Sequence, residues 1–282
     1  MNKIRILVDS TSSITTKQAL ELGVTVVPTT FIVDGVEQDP TNAPYSLDEF
    51  YQKLYEAKVG TACINSYVFE ETFKSYLEKN EDVIYVALSS GLSSTYVNAV
   101  NASENLKEEF GERVVVIDPL TGGAGMHFVV RAIAKMANEG KSVTEIKSAL
   151  DKNSLGVVSY FTIGSLDHLY KGGRLNKVEV AIGNTLKAKP IVKANEEGKL
   201  KIKAIHLGKR KTIKEMGDLV LENVNEEYPV EISYTNNLDE AEFLRNKLLE
   251  ANDKLNITFS QIDYTLACHC GPETVAVFYI KK

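Results

Sequence analysis

The stretch Asp82-Val-Ile-Tyr-Val-Ala-Leu-Ser-Ser-Gly-Leu-Ser-Ser-Thr-Tyr96 decides the fold of this chain. Its first half, from Asp82 to Leu88, is rich in β-branched and aromatic residues, which predicts a buried strand. From Thr95 to Phe110, spaced apolar residues on a mainly polar background predict a helix. The turn between them consists almost entirely of serine, with one glycine. In open α/β sheets such turns bind ligands, because backbone N–H groups at the start of a helix are unpaired.

The hydroxyl groups of this turn suit a small anionic head group, such as a carboxylate or a phosphate. A simpler explanation is that Ser93 or Ser94 only caps the helix, which is a common role of serine. One serine is enough for a cap, and the turn carries four serines followed by Thr95. The pattern therefore favours a ligand site, with the cap as the alternative.

The composition is that of an ordinary globular protein, with 44% hydrophobic and 25% charged residues in a chain of 282. The net charge of −6 argues against a general nucleic-acid binder. The segment from Met1 to Ser12 lacks the apolar core of a signal peptide, and no apolar run is long enough to span a bilayer. Three cysteines fit a reducing compartment better than a disulfide framework. We therefore expect a cytoplasmic protein.

Residues 1–155 are predicted to form an N-terminal α/β domain around a parallel sheet. Predicted strands alternate with predicted helices, which implies right-handed crossovers between parallel strands. Hydroxyl- or glycine-rich junctions follow strands or precede helices at Asp9–Ser13, Gly60–Ser66 and Pro119–Gly125. We expect several of these junctions to face one edge of the sheet.

Residues 156–282 are predicted to form a C-terminal mixed α+β domain. Strands are expected at Val157–Ile163, Val230–Tyr234 and Val275–Ile280, and the turn Glu196-Glu197-Gly198 is typical of a hairpin. A further helix is predicted over Val178–Ala188. The predicted fold class is thus a parallel-sheet α/β domain followed by a mixed domain, with a ligand tunnel between them.

An enzyme acting on an acyl or phosphoryl group is the alternative from a different functional class. Gly91-Leu-Ser-Ser-Thr95 lacks the second glycine of a nucleophile elbow, and nothing in the sequence identifies an acid partner for His269. Gly123-Ala-Gly125 lacks the third glycine of a dinucleotide loop, and Gly140-Lys-Ser142 lacks the upstream glycine of a P-loop. We expect no catalytic residues and no cofactor.

The motif Cys268-His269-Cys270 invites a metal interpretation, but its ligands are adjacent rather than two to four residues apart. We interpret the cysteines as packing residues beside a turn at Gly271-Pro272, and we predict no metal site. His269 is predicted to lie in a loop between two strands, where it can face a cleft. The remaining histidines are predicted to be surface residues of helices or strands: His127, His168 and His206.

A basic segment runs from Lys187 to Lys214, where ten lysines and arginines accompany only Glu196 and Glu197. A solvated hairpin and helix face is the simplest interpretation. On an acidic protein, such a surface can also dock an acidic partner or contact an anionic membrane transiently.

Four motifs in order resemble those of the DegV family, bacterial proteins that bind a fatty acid between two α/β domains. Asp9-Ser10-Thr11-Ser12 is similar to the opening loop of the family, and Ser89–Tyr96 to its Ser-Ser-x-Leu-Ser-Gly-Thr-Tyr stretch. Lys171-Gly-Gly-Arg174 resembles its Lys-Gly-Gly-Arg, and His269-Cys-Gly-Pro272 its late His-x-Gly-Pro-Gly. The resemblance covers nearly the whole chain.

This resemblance implies a long-chain fatty acid as the ligand, with Thr61 and Ser93 holding its carboxylate. Ser94 would join this binding set, and His269 would lie close to the head group. Arg174 would lie on an exposed face offered to a partner. In fatty-acid-binding members of the family, that partner is a separate ATP-dependent kinase that makes acyl phosphate.

The chain departs from the family pattern at several positions near these motifs. The family Thr-Ser-Gln-Pro is Thr61-Ala62-Cys63-Ile64 here, so one hydroxyl and a proline are replaced. Ser94 and Glu273 stand where the family has glycine, and Ser13 ends the opening motif in place of aspartate. The prediction is a non-catalytic carrier that presents a fatty acid to a partner kinase.

Overall fold

The computed structural model describes residues 2–150, 155–176 and 188–282. The helix predicted over 178–188 falls on residues 178–187, outside the described ranges, and Ala188 begins a strand. The division at residue 155 stays a prediction.

The N-terminal part is built on a four-stranded parallel sheet in the order β2-β1-β6-β7. Its strands are β1 (Lys3–Asp9), β2 (Val24–Val27), β6 (Glu81–Val86) and β7 (Val114–Ile117). Neighbouring strands pair in parallel throughout, which confirms the predicted sheet. The second halves of β1 and β6 are buried because helices cover both faces of the sheet.

Alternate residues of β1 point to opposite faces of this sheet. Ile6 and Val8 share a core with Met126, whereas Leu7 packs in a second core with Phe69. The covering helices are α1 (Thr16–Leu22), α3 (Ser66–Leu77), α4 (Thr95–Phe110), α5 (Gly125–Asn138) and α6 (Val143–Ala149). Helix α4 has its predicted bounds.

A separate three-stranded antiparallel sheet corrects the prediction for the junction at 60–66. Its strands are β3 (Thr30–Val33), β4 (Val36–Gln38) and β5 (Val59–Ala62), in the order β4-β3-β5. Thr61 therefore lies within a strand of this small sheet, not at the edge of the parallel sheet. Helix α2 (Leu47–Lys53) packs against it, and Phe31 and Phe50 share a core with Leu166.

The C-terminal part is a six-stranded mixed sheet in the order β10-β9-β8-β13-β11-β12. Its strands are β8 (Val157–Thr162), β9 (Ala188–Ala194), β10 (Leu200–Leu207), β11 (Val230–Tyr234), β12 (Ile257–Gln261) and β13 (Val275–Ile280). Only the β11–β12 pair is parallel among the pairs that the structure describes here. The hairpin predicted around Glu196-Glu197-Gly198 is confirmed, since β9 and β10 pair antiparallel.

The helices of the C-terminal part are α7 (Asp167–Lys171), α8 (Lys209–Leu221), α9 (Leu238–Ala251) and α10 (Tyr264–Cys270). Helix α10 was not predicted, and the placement of His269 in a loop is wrong. Asp263 caps this helix by accepting hydrogen bonds from the N–H groups of Thr265 (2.7 Å) and Leu266 (3.2 Å). His269 therefore lies on a short, capped helix.

The prediction that His127 is a surface residue is also wrong. Its side chain is 1% exposed and lies between the N-terminal and C-terminal parts. Nδ1 lies 3.3 Å from a carboxylate oxygen of Glu231 on β11, and Nε2 lies 2.9 Å from the carbonyl oxygen of Ser12.

No helix in the described part of the chain is both long and apolar enough to cross a bilayer.

Candidate functional site

A cavity of about 290 Å³ lies between the parallel sheet and the mixed sheet. The N-terminal part contributes Leu88 and Leu92 to its wall, and the C-terminal part contributes Phe161, Leu266 and Phe278. The residues that follow β1 and β6 also line it, so the cavity lies at the carboxyl ends of these strands. This is the position at which open α/β sheets bind ligands.

All the residues proposed from the sequence as binding or docking residues line this one cavity: Thr61, Ser93, Ser94, Arg174 and His269. Three different parts of the fold supply them, namely β5, the turn before α4, and the region of α7 and α10. The structure thus brings together residues that are up to 208 positions apart in the chain.

Thr61 and His269 contact each other directly in the cavity wall. The Thr61 hydroxyl lies 2.9 Å from Nε2 of His269. Burial lowers the pKa of His269 to about 4, with further contributions from the positive charge of Arg174 and from His168. The ring is therefore neutral at neutral pH, and one of its nitrogens is an acceptor.

The serine turn does more than cap α4. Ser93 accepts a hydrogen bond from the N–H of Thr95 at 3.2 Å, and its hydroxyl donates to the Thr95 hydroxyl at 3.0 Å. Ser94 occupies the cap position, but its side chain makes no capping hydrogen bond within the described residues. Helix capping therefore explains the hydrogen bond from the Thr95 N–H to Ser93, but it gives no role to the hydroxyl of Ser94.

The expectation that Arg174 is exposed is corrected by its position. Its side chain is half-buried in the cavity wall, where Nε donates to the Leu92 carbonyl oxygen at 3.0 Å and Nη1 donates to the Gly172 carbonyl oxygen. Burial lowers the pKa of Arg174 from its usual value. Two backbone acceptors hold this guanidinium because they satisfy donors that burial has removed from water.

A second, outer groove of about 1,020 Å³ shares Thr61, Arg174 and His269 with the cavity. Charged residues surround the groove: Glu56, Lys58, Asp167, Lys171, Lys189 and Glu273. The polar residues of the site therefore stand between an apolar interior and a polar groove on the outside.

The hairpin of β9 and β10 covers part of the cavity. Ala194 and Leu200, which flank its turn, line the wall, and the turn rests on the serine loop. The buried Ser89 hydroxyl donates to the Gly198 carbonyl oxygen at 3.0 Å. This contact was not predicted, although the Ser89 loop and the hairpin were each identified from the sequence.

Two buried carboxyl groups near the cavity were also not assigned a role from the sequence. Asp9 lines the cavity and accepts hydrogen bonds from Tyr85 and from the N–H of Leu88, both at 2.9 Å. Burial raises the pKa of Asp9 and raises that of Asp263 to about 7. The position of Asp9 at the end of an apolar strand was the sequence signal that could have identified it, because a buried carboxyl group needs hydrogen-bond partners.

The basic segment is partly neutralised by Glu273, one of the departures from the family pattern. The Glu273 carboxylate lies 2.6 Å from Nζ of Lys209 and 3.9 Å from Nζ of Lys189. Lys201 and Lys203 on β10 are exposed. Contact of these lysines with a membrane or an acidic partner stays a prediction.

The two cysteines of the motif Cys268-His269-Cys270 are packing residues, as predicted from the sequence. Both cysteines are buried, and burial raises the pKa of the Cys270 thiol to about 12. In the described part of the chain, no group of three or more His, Cys, Asp or Glu residues is placed to hold a metal ion.

The fold and the site define a class of protein with two α/β parts and an apolar cavity between them, closed by a polar wall. The family model for DegV, described as "Uncharacterised protein, DegV family COG1307", matches residues 3–282. This chain belongs to the DegV family.

Known members resemble the chain over its full length. A DegV domain-containing protein of Clostridium perfringens is 30% identical over 285 residues, which cover 99% of this chain and 98% of that protein. A solved structure from Thermus thermophilus, described as showing fatty acid binding of a DegV family protein, matches with a TM-score of 0.88 at 22% identity and full coverage of both chains. The fatty acid binding DegV family protein of Streptococcus agalactiae matches with a TM-score of 0.87 at 23% identity, also with full coverage. These structures share the fold of this chain.

Proposed function

We propose that this protein binds a long-chain fatty acid, with the acyl chain in the cavity and the carboxylate at Thr61, Ser93, Ser94 and His269. The observation that carries the proposal is the cavity itself, whose accessible surface is mostly apolar and whose wall brings these four side chains together. Two proteins of the same family and fold are described as fatty-acid-binding. Thus chemistry and family point to the same ligand.

Burial of the acyl chain accounts for the affinity that such a carrier needs. Each buried CH₂ contributes about 0.8 kcal/mol, so a long chain supplies on the order of 10 kcal/mol before the costs of association. The polar residues therefore need only orient the head group. Hydroxyl donors suit this task, because they pair with a carboxylate without requiring a buried counter-charge.

Native mass spectrometry of protein purified from bacteria tests the proposal. We expect a bound species whose mass excess matches a fatty acid, identified by mass spectrometry of the extracted lipid. Protein that stays free of ligand, even after incubation with several long-chain acids, would contradict the proposal.

We infer that the bound carboxylate is presented to a separate ATP-dependent kinase through the outer groove, with Arg174 as the docking residue. The groove reaches the same three residues as the cavity, so a partner seated there would meet the head group directly. Arg174 lies at this boundary and offers a planar fork suited to a carboxylate or a phosphate.

Phosphotransfer at saturating fatty acid, with a cognate kinase, tests this role of Arg174. We expect Arg174→Ala to reduce acyl-phosphate formation strongly and Arg174→Lys to restore only part of it. Calorimetry of fatty-acid binding by the same variants is the control. A loss confined to fatty-acid affinity, with normal turnover of the bound fraction, would assign Arg174 to the cavity wall alone.

A hydrolase based on His269 finds less support in the geometry. Nε2 is engaged by Thr61, and Nδ1 has no hydrogen-bond partner among the described residues. A nucleophile–histidine–acid chain needs a carboxylate at the second nitrogen. Assays of the purified protein with an acyl ester and with ATP test this alternative, and turnover of either would support it.

A further inference from the structure

Gly172 ends helix α7 directly against the ring of His269. A methyl group at Gly172 would overlap Nδ1 of His269 and lie 3.0 Å from the carbonyl oxygen of His168. The backbone at Gly172 is ordinary, with φ −74° and ψ −8°, a conformation that any residue adopts. Space, and not backbone conformation, therefore explains a glycine here.

The neighbouring Gly173 shows the opposite situation. Its φ is +74°, which favours glycine, and nothing lies within 4 Å of the place where a side chain would begin. The two glycines of Lys171-Gly-Gly-Arg174 thus have separable roles, and each can be tested against the other.

The contact with Gly172 bears on where the His269 proton lies. Nδ1 is buried without a hydrogen-bond partner among the described residues, whereas Nε2 lies 2.9 Å from the Thr61 hydroxyl. A buried N–H group without an acceptor is costly, so the proton is favoured on Nε2. Nε2 then donates to the Thr61 oxygen, which leaves the Thr61 hydrogen free to point to a ligand.

Gly172 also holds the charged group of the wall, Arg174. Its carbonyl oxygen accepts a hydrogen bond from Nη1 of Arg174, and its N–H donates to the carbonyl oxygen of His168 at 2.9 Å. One residue thus supports Arg174 through its backbone and His269 through the lack of a side chain.

We propose that Gly172 is a positioning residue of the head-group site: its bare α-carbon lets the His269 ring lie where Nε2 donates to Thr61, and this aims the Thr61 hydroxyl at the ligand carboxylate. The carboxylate in this inference rests on the proposed function. A larger residue at position 172 displaces the ring and breaks the contact with Thr61. Recognition of the carboxylate is then weakened, whereas burial of the acyl chain is little affected.

Calorimetry of the delipidated protein with palmitic acid and with methyl palmitate tests the inference. We expect Gly172→Ala to weaken palmitic acid binding about tenfold, the equivalent of one lost hydrogen bond to a charged group, and to change methyl palmitate binding by less than about twofold. Gly173→Ala is the matched control, expected to lower the melting temperature while leaving the acid-to-ester affinity ratio unchanged. Equal losses for acid and ester in Gly172→Ala would overturn the proposal.

A double-mutant cycle with His269→Ala shows whether Gly172 acts through the ring. In that background, where the ring is gone, Gly172→Ala is expected to add no further loss of affinity. Removal of the ring should also relieve any folding defect. If Gly172→Ala is too unstable to purify, the double variant should recover a cooperative melting transition. A Gly172→Ala effect of the same size with and without His269 would contradict the mechanism.

The nitrogen signals of His269 in NMR give a readout that needs no ligand. We expect the ligand-free wild type to show a neutral ring protonated on Nε2, and Gly172→Ala to shift both ring nitrogens. Unchanged signals in the variant would overturn the positioning role. Failure of the wild type to bind palmitic acid, with the NMR result as expected, would instead count against the proposed function.

Discussion

Thr61 and His269 illustrate what single residues contribute to this site. One lies on a strand of the small antiparallel sheet and the other on a seven-residue helix near the end of the chain, yet their side chains meet at 2.9 Å. Thr61 has no ionisable group, and His269 is neutral at neutral pH because burial lowers its pKa to about 4. Recognition of an anion at this wall therefore depends on oriented hydroxyls, with Arg174 as the nearby positive charge.

Removal of two hydroxyls tests this dependence. We expect Thr61→Ala combined with Ser93→Ala to weaken fatty-acid binding by roughly 1–3 kcal/mol, the cost of leaving a buried charged acceptor without its donors. Binding of the methyl ester should change much less. Calorimetry with both ligands measures the difference, and Ser75→Ala on the exposed side of α3 is the control. Equal losses for acid and ester would mean that these hydroxyls do not recognise the carboxylate.

Helix α10 is the element on which the C-terminal half of the site depends. It begins at the buried carboxyl of Asp263 and carries His269 in its last turn. Burial raises the pKa of Asp263 to about 7 and lowers that of His269 to about 4, so their effects on stability oppose each other over the same pH range. Between about pH 4 and 7, Asp263 makes folding less favourable as pH rises, because the folded state holds the proton that the unfolded state has released. His269 has the opposite effect between about pH 4 and 6.5.

Asp263→Asn separates the two contributions. Asparagine is also a good helix cap, so the capping bonds are retained while the titrating group is lost. We expect the melting temperature of the variant to rise relative to wild type as pH increases from 4 to 8, by an amount equivalent to a few kcal/mol at most. Thermal unfolding across this range measures it. A difference that is flat, or that falls with pH, would show that Asp263 is ionised in the folded protein.

At the scale of the whole molecule, a cluster around the buried Glu231 joins the two parts on either side of the cavity. Glu231 on β11 is 2% exposed and accepts hydrogen bonds from Arg131 of α5 at 2.6 Å and from the Thr258 hydroxyl at 3.0 Å. Burial opposes its ionisation, but His127 and Arg131 outweigh burial and lower the pKa of Glu231 to about 2. The cluster thus links helix α5, which covers the parallel sheet, to strand β11 of the mixed sheet.

Glu231→Gln tests this connection. We expect it to reduce the free energy of unfolding by roughly 3–5 kcal/mol, since the carboxylate of the buried Glu231–His127 pair is removed while His127 stays buried. The stability that Glu231 contributes is present above about pH 4.5 and is lost as pH falls toward 2, so the variant should lack this part of the acid transition. Urea unfolding measures both effects. Glu109→Gln, which removes an exposed pair with Lys74, is the control and should cost at most about 1 kcal/mol.

Most elements could be predicted from the chain itself because their signals are local. Helix α1 begins at a capping box on Thr15 and ends at Gly23, and the strands of the parallel sheet are rich in β-branched residues. Helix α10 escaped prediction because the small buried residues of Tyr264–Cys270 resemble a strand or a turn equally well.

The sequence by itself determined the alternation of strands and helices, the hairpin and the family motifs, since each depends on neighbours within a few positions. The tertiary structure alone decided which polar groups find partners. Arg174 follows two glycines and was expected to be exposed, yet the carbonyl oxygen of Leu92, 82 positions away, holds it in the cavity wall. His127 is buried for the same reason: its partner Glu231, 104 positions further along the chain, lies beside it in the fold. Burial of a polar side chain depends on a partner brought close by the fold, and such a partner leaves no local pattern in the sequence.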